Sequence, residues 1–262
     1  MLWKAHGMSA NDDRPQIGYV EVDPDALTLP GASFDAVIAP FATAQPEGSM
    51  LAGLPTEGWR VLDRPERGGA IIGVPADDSG GRWWIGQISP GRDGVPARLG
   101  MQRDAQPLRR SKAERRAGLA LRWPATTREE PDLRLLAVDI VNLGTERWRP
   151  DGDSFHVVGS LQRPDEAGTV FYYAYVGGTD PALPLDPGEY VRTRVSLENT
   201  TSWDDLEPGR YEVRAALLDL GLRPDPLPID VTEEMAQARR ATERARPSRF
   251  PPPPPPPPPR HP

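Results

Sequence analysis

From residue 119 onward, apolar and polar positions alternate with a period of two between breaks rich in proline. A strand with one face in a core and the other in water reads this way. The clearest run is 190–197, where Val191, Thr193, Val195 and Leu197 share one face and Tyr190, Arg192, Arg194 and Ser196 share the other. The same alternation predicts strands at 119–123, 133–141, 154–161, 170–176, 211–218 and 227–231. Pro124, Pro131, Pro150, Pro164, Pro181, Pro187, Pro208 and Pro224 fall between these segments. Proline has no N–H to give to a ladder, so each marks a turn or an edge. None of the gaps leaves space for a crossover helix, which predicts antiparallel pairing over a parallel βαβ sheet. Longer loops are expected around 142–153 and 177–189.

One turn carries extra detail. Leu206-Glu207-Pro208-Gly209-Arg210-Tyr211 sets a tyrosine just after a Pro-Gly turn, at the head of an alternating strand. In a tyrosine corner the phenol hydroxyl bonds to backbone a few residues upstream, which makes Tyr211 a structural residue. Two further blocks join it: Val141-Asn142-Leu143-Gly144 with Trp148, and Leu185-Asp186-Pro187-Gly188-Glu189. Together they resemble bacterial immunoglobulin-like and fibronectin-III-like domains, most nearly the CARDB type. Those domains show Asn-x-Gly after the second strand, Pro-Gly-Glu before the fifth and Pro-Gly-x-Tyr before the sixth. The resemblance spans 119–231 at superfamily level and implies an immunoglobulin-like antiparallel β-sandwich of seven strands. Asn142, Gly144, Trp148, Pro208, Gly209 and Tyr211 are read as structural positions, as is Trp203. The likeness transfers no active site, because such domains serve as spacers, adhesion modules and interaction modules alike. Most relatives are exported, whereas this chain opens with no export signal.

The first half patterns less regularly. Segments 17–22, 34–38, 59–62, 70–74 and 82–88 read as strands of a second, small β-rich domain over 16–97. The spacing Val20-x-Val22-x-Pro24-x-x-Leu27-x-Leu29-x-Gly31 is similar to the opening of many bacterial immunoglobulin-like domains. Residues 40–58 are too rich in Pro and Gly for regular structure beyond one short helix. Residues 98–117 hold Arg98, Arg103, Arg109, Arg110, Lys112, Arg115 and Arg116 against only Asp104 and Glu114. They are expected to form a solvated basic linker; the sharper alternative is a patch for an acidic partner or nucleic acid. No aromatic is interleaved, which weakens single-strand stacking. Residues 1–15 are expected to be disordered, and Met8 offers a plainer start than Met1.

Composition narrows the chemistry. The 33 prolines and 25 glycines favour short strands and long turns. Without cysteine there are no disulfides, no thiolate catalysis and no thiolate metal sites. A net charge of −7 argues against nucleic acid as a partner. The start lacks a signal-peptide core, and no run approaches the roughly 18 apolar residues of a membrane helix. A cytoplasmic location and no membrane partner are therefore expected.

The end of the chain changes character. Thr232 with Glu233 and Glu234 caps a short helix expected over 233–246, where Pro247 stops it. Residues 247–262 read as a disordered tail. Its run from Pro251 to Pro259 reads as polyproline II, about 28 Å long at 3.1 Å per residue. Arg249, Phe250 and Arg260 flank the run like the anchors of proline ligands of SH3-type domains, which marks the tail as a candidate protein-binding segment. The alternative is a low-complexity spacer.

Catalytic candidates are few. Of three histidines, His6 and His261 lie in the ends, leaving His156. Gly152-Asp153-Ser154-Phe155-His156 superficially resembles one esterase block, but Ser154 would open a strand in a sandwich and no second histidine is available. Asp151 with Asp153, or Asp204 with Asp205, offers oxygen ligands without a calcium-loop pattern around them. The doublet Trp83-Trp84 points to opposite faces of a strand, one indole in the core and the other either exposed for a protein or sugar or buried at an interface between the two domains. No catalytic residue, cofactor or metal is assigned. The expectation is a non-enzymatic interaction or scaffold protein. A carbohydrate- or calcium-assisted ligand module is the alternative, and hydrolase activity in the first half a third.

Overall fold

The computed structural model describes residues 13–41, 52–65, 68–91, 96–164, 181–197 and 203–244. It is mostly β, arranged as two sheets. The expected strand at 170–176 and the tail from 247 lie outside the described residues, as does most of the expected N-terminal extension.

The first sheet is built from β1 (Gln16–Ile17), β2 (Val20–Glu21), β3 (Arg60–Asp63), β4 (Ala70–Pro75), β5 (Arg82–Ser89), β6 (Arg98–Met101) and β7 (Gln106–Arg109). Its order is β2-β1-β7-β5-β4-β3, with β6 also on β5. Beyond β2, the Asp23 N–H donates to the Leu62 carbonyl of β3 at 2.8 Å, so the sheet curls back toward its first strands. β4 is buried on both faces, which explains its nearly unbroken apolar run. Ala70, Ile72 and Val74 join Phe34, Val37, Ile38, Trp59 and Ile88 on one side. Ile71 joins Ile17, Val22, Leu62, Trp83 and Ile85 on the other.

Three expectations for this half are corrected. Segment 34–38 is a helix, α1 (Phe34–Ile38), not a strand. Ser33 accepts the Ala36 N–H as its N-cap, and Phe34, Val37 and Ile38 bury one face at helical spacing. Segment 17–22 is not one strand but the hairpin of β1 and β2, turned at Gly18, whose φ of 61° suits glycine. Residues 98–117 are not a solvated linker. They hold β6, β7 and a one-turn helix, α2 (Lys112–Arg115), and both Arg109 and Arg115 are buried.

The second sheet contains β8 (Leu119–Arg122), β9 (Ala137–Asn142), β10 (Val157–Gln162), β11 (Tyr190–Leu197), β12 (Gly209–Leu217) and β13 (Leu227–Val231). Its order is β13-β12-β10-β11-β9-β8. Six of the seven expected strands are therefore present: β11 and β13 at the expected limits, β12 starting earlier, β9 and β10 starting later and β8 ending earlier. β9 begins at Ala137, because Asp132 accepts the Arg134 N–H and holds 132–135 in a turn. Leu133 and Leu136 are buried all the same. Between β8 and β9 a short helix, α3 (Ala125–Glu129), follows Pro124.

The pairing is antiparallel except between β10 and β11, which run parallel, against the expectation of a wholly antiparallel set. Gly159 of β10 makes this approach feasible: a Cβ there would stand 2.6 Å from Val195 Cγ1 of β11. Buried residues of all six strands meet in one apolar cluster. Alternation in β11 follows its sequence pattern, with Val195 and Leu197 buried and Tyr190, Arg192 and Arg194 exposed. The chain then forms α4 (Glu233–Arg244), capped by Thr232, whose hydroxyl accepts the Met235 N–H at 3.2 Å. Ala236 is fully buried against the sheet's cluster and Met235 packs beside it. Arg239 lies 4.2 Å over the Trp203 ring. A helix this short is marginal alone in water, so docking supplies its stability.

Candidate functional site

Among the described residues, the two sheets meet at a buried cluster of charges, not at an apolar seam. Arg109 ends β7. After it, Ser111 and Glu114 form a reciprocal capping box that starts α2 and turns Arg115 inward. Asp153 lies in the loop before β10, Asp219 in the turn after β12, and Gln16 in β1.

Asp153 is wholly buried between two guanidiniums. Arg109 Nη2 donates to its Oδ1 at 2.5 Å, and Arg115 Nη1 donates to the same oxygen. The other oxygen accepts the Asp151 N–H at 2.9 Å. Arg115 also gives Nη2–H bonds to Gln16 Oε1 at 2.5 Å and to the Asp219 carbonyl at 3.1 Å, and its Nε–H to the Arg110 carbonyl at 3.0 Å. Its own carbonyl accepts the Trp148 indole N–H at 2.6 Å. Asp219 in turn accepts both the Ser154 N–H, at 2.7 Å, and the Ser154 hydroxyl, at 2.8 Å.

Burial sets the electrostatics. It pushes the Asp153 carboxyl above its ordinary range, against the pull of the Asp151 N–H, Arg115 and Arg109. The same desolvation lowers the Arg115 guanidinium, which Asp153 and Asp219 pull back up. Two arginines and two aspartates balance in charge, and nearly every hydrogen-bonding group of Arg115 and Asp153 has a partner. Such an arrangement fixes elements against one another. The hydroxyl of Ser154 is committed to a carboxylate, with its proton directed at Asp219.

No family profile, curated protein or solved structure matches the chain. Its site residues therefore stand on their geometry. Asn142 is buried at the end of β9, and its Nδ2 donates to the Glu146 and Leu185 carbonyls at 2.8 and 2.9 Å. Its Oδ1 accepts the Gly144 N–H at 2.9 Å. Trp148 stacks on Phe155, with centroids 5.7 Å apart. Tyr211 donates its hydroxyl to the Glu207 carbonyl, four residues upstream, at 3.0 Å. Pro208 is exposed and Gly209 has φ of 150°, at the start of β12. Trp203 is half-buried beneath Arg239.

The candidate interaction residues fare differently. Trp83 is only 3% exposed and its indole N–H donates to the Gly80 carbonyl, which makes it the core-facing member of the doublet. Trp84 points to the other face, as alternation requires, but packs half-buried against the α1 cluster instead of standing free. Arg249, Phe250, Pro251, Pro259 and Arg260 lie outside the described residues. Asp153 is taken by arginines, and Asp151 pairs with Arg110 at 3.9 Å. Among the described residues no group of three or more His, Asp or Glu is placed to hold a metal ion, and no helix is long and apolar enough to cross a membrane.

Sequence reasoning passed over Gln16 and Asp219, and it placed Arg109 and Arg115 in a solvated stretch, whereas both are buried. The readable signal was Ser111-x-x-Glu114, a capping box that marks a helix start inside the supposed linker. Nothing in the sequence pairs Arg115 with an aspartate 38 positions later.

Proposed function

We propose that this chain is a non-enzymatic interaction protein. In this reading an immunoglobulin-like sandwich, joined to a smaller β unit, holds surfaces and a polyproline tail toward a protein partner. The strand order of the second sheet is the supporting observation. Cut at its one parallel pair, β13-β12-β10-β11-β9-β8 divides into β8-β9-β11 and β10-β12-β13. In an immunoglobulin-type domain the first, second and fifth strands form one sheet and the third, sixth and seventh the other. The order matches if the fourth strand falls in 165–180, where the alternation at 170–176 predicts one. The Tyr211 bond to Glu207 fits the tyrosine corner of the same fold.

Binding is favoured over catalysis because Ser154, the serine beside the only histidine among the described residues, uses its hydroxyl internally, on Asp219. The outward face of β11 offers Tyr190, 56% exposed, with the Arg192 guanidinium 5.9 Å from its ring centroid. Tyrosine and arginine are the residue types that concentrate interface energy. A docked α4 leads directly into the proline-rich end of the chain.

Titration calorimetry of the full chain with purified SH3-type and WW-type domains tests the tail's part, with a chain ending at Arg246 as control. Heat of binding from the full chain alone is the expected result. Equal heats from both chains, or none from either, would contradict it.

A further inference from the structure

We infer that the buried Arg109–Asp153–Arg115 cluster is a latch: it fixes the two sheets in one mutual orientation, and breaking it lets them move and melt separately. The division of apolar surface between the sheets leaves their orientation to polar contacts. All the buried apolar residues of the second sheet's cluster lie between Leu119 and Ala236. Those of the first sheet's two clusters lie between Ile17 and Leu99. Among the described residues, none of the three clusters spans both sheets. Two β units without a shared apolar interface are expected to shift against one another.

What crosses the junction is polar and directional. Arg109 reaches from β7 to Asp153, and Arg115 touches Gln16 on one side and Asp153 with the Asp219 carbonyl on the other. Trp148 adds its indole N–H to the Arg115 carbonyl. At the rim, Lys112 pairs with Glu21 at 3.5 Å. A guanidinium is a rigid planar fork, so satisfying several of its N–H groups at once admits one orientation and few others. Burying charges costs about as much as their pairing returns, so such a cluster confers specificity of arrangement more than adhesion. It also sits where a hinge would. Only residues 110–118 connect β7 to β8, and α2, with Arg115 on it, occupies the middle of that span.

Calorimetry and small-angle X-ray scattering of the full chain test this directly. The unaltered protein is expected to melt in one transition. Asp153→Asn removes the charge between the arginines and should split the melt into two transitions and raise the radius of gyration. Gln16→Ala, milder because it leaves the second sheet's contacts whole, should broaden the melt in the same sense; it decides the matter if Asp153→Asn does not fold. Trp203→Ala removes the stacking on Arg239 of α4 and some packing on the second sheet's cluster, all of it away from the junction, and should lower the transition without splitting it. Two transitions in the unaltered chain would overturn the latch. So would a single sharp transition and unchanged radius in Gln16→Ala together with any folded Asp153→Asn protein, or a split in Trp203→Ala as well.

Discussion

Asn142 has both side-chain amide protons and its carbonyl oxygen engaged, and it is buried. Asn142→Ala would take a partner from the Glu146 carbonyl and from the Gly144 N–H, while the Leu185 carbonyl keeps the Trp148 N–H. Losing these bonds from a buried side chain is expected to cost about 1–3 kcal/mol in urea denaturation. Tyr211→Phe removes one bond and keeps the ring, so about 1 kcal/mol is expected from it. Glu114 illustrates a charge effect at the same scale. Its hydrogen bonds from the Ser111 hydroxyl and backbone hold it below the usual carboxylate range. A depressed value means that its contribution is present above the ordinary carboxylate pKa and is lost as pH falls through the folded one. Glu114→Gln should therefore flatten the acid limb of the stability–pH curve, read by thermal melts between pH 7 and 3. These residues differ in legibility. Asn142 and Tyr211 stood beside recognisable Pro-Gly and Asn-x-Gly turns, whereas Arg115 sat in a run of like charges that reads as solvated until its partner is known.

Among the elements, strands with one wet face were the most legible, because alternation reports burial directly. β11 is the clearest case, with exposed Tyr190, Arg192 and Arg194 opposite its core-facing residues. Segment 34–38 misled because Phe34, Val37 and Ile38 fit a short apolar run equally well as strand or helix, and only the Ser33 cap distinguishes them. The parallel pairing of β10 with β11 was invisible for another reason: it depends on residues far apart in sequence and on Gly159 permitting close approach. α4 was foreseen from its cap, but its burial was not. Its fully buried Ala236 gives a test. Ala236→Glu should undock the helix, and circular dichroism should lose helical signal while the β signal persists.

At the level of the whole molecule, the junction is held by buried charges. Removing one member leaves buried charge uncompensated, so Arg115→Ala is expected to cost about 3–5 kcal/mol by chemical denaturation. Replacing Arg109, Arg115 and Asp153 together by leucine or methionine should cost much less, because desolvation is relieved along with the pairing. The central claim is that Arg115 is locked between the sheets, and guanidinium NMR of the uniformly 15N-labelled chain at neutral pH tests it most directly. Slowly exchanging Nη protons of Arg115, with contacts to Gln16 and Asp153, are the predicted result. Exchange as fast as that of the exposed Arg98 side chain would contradict it.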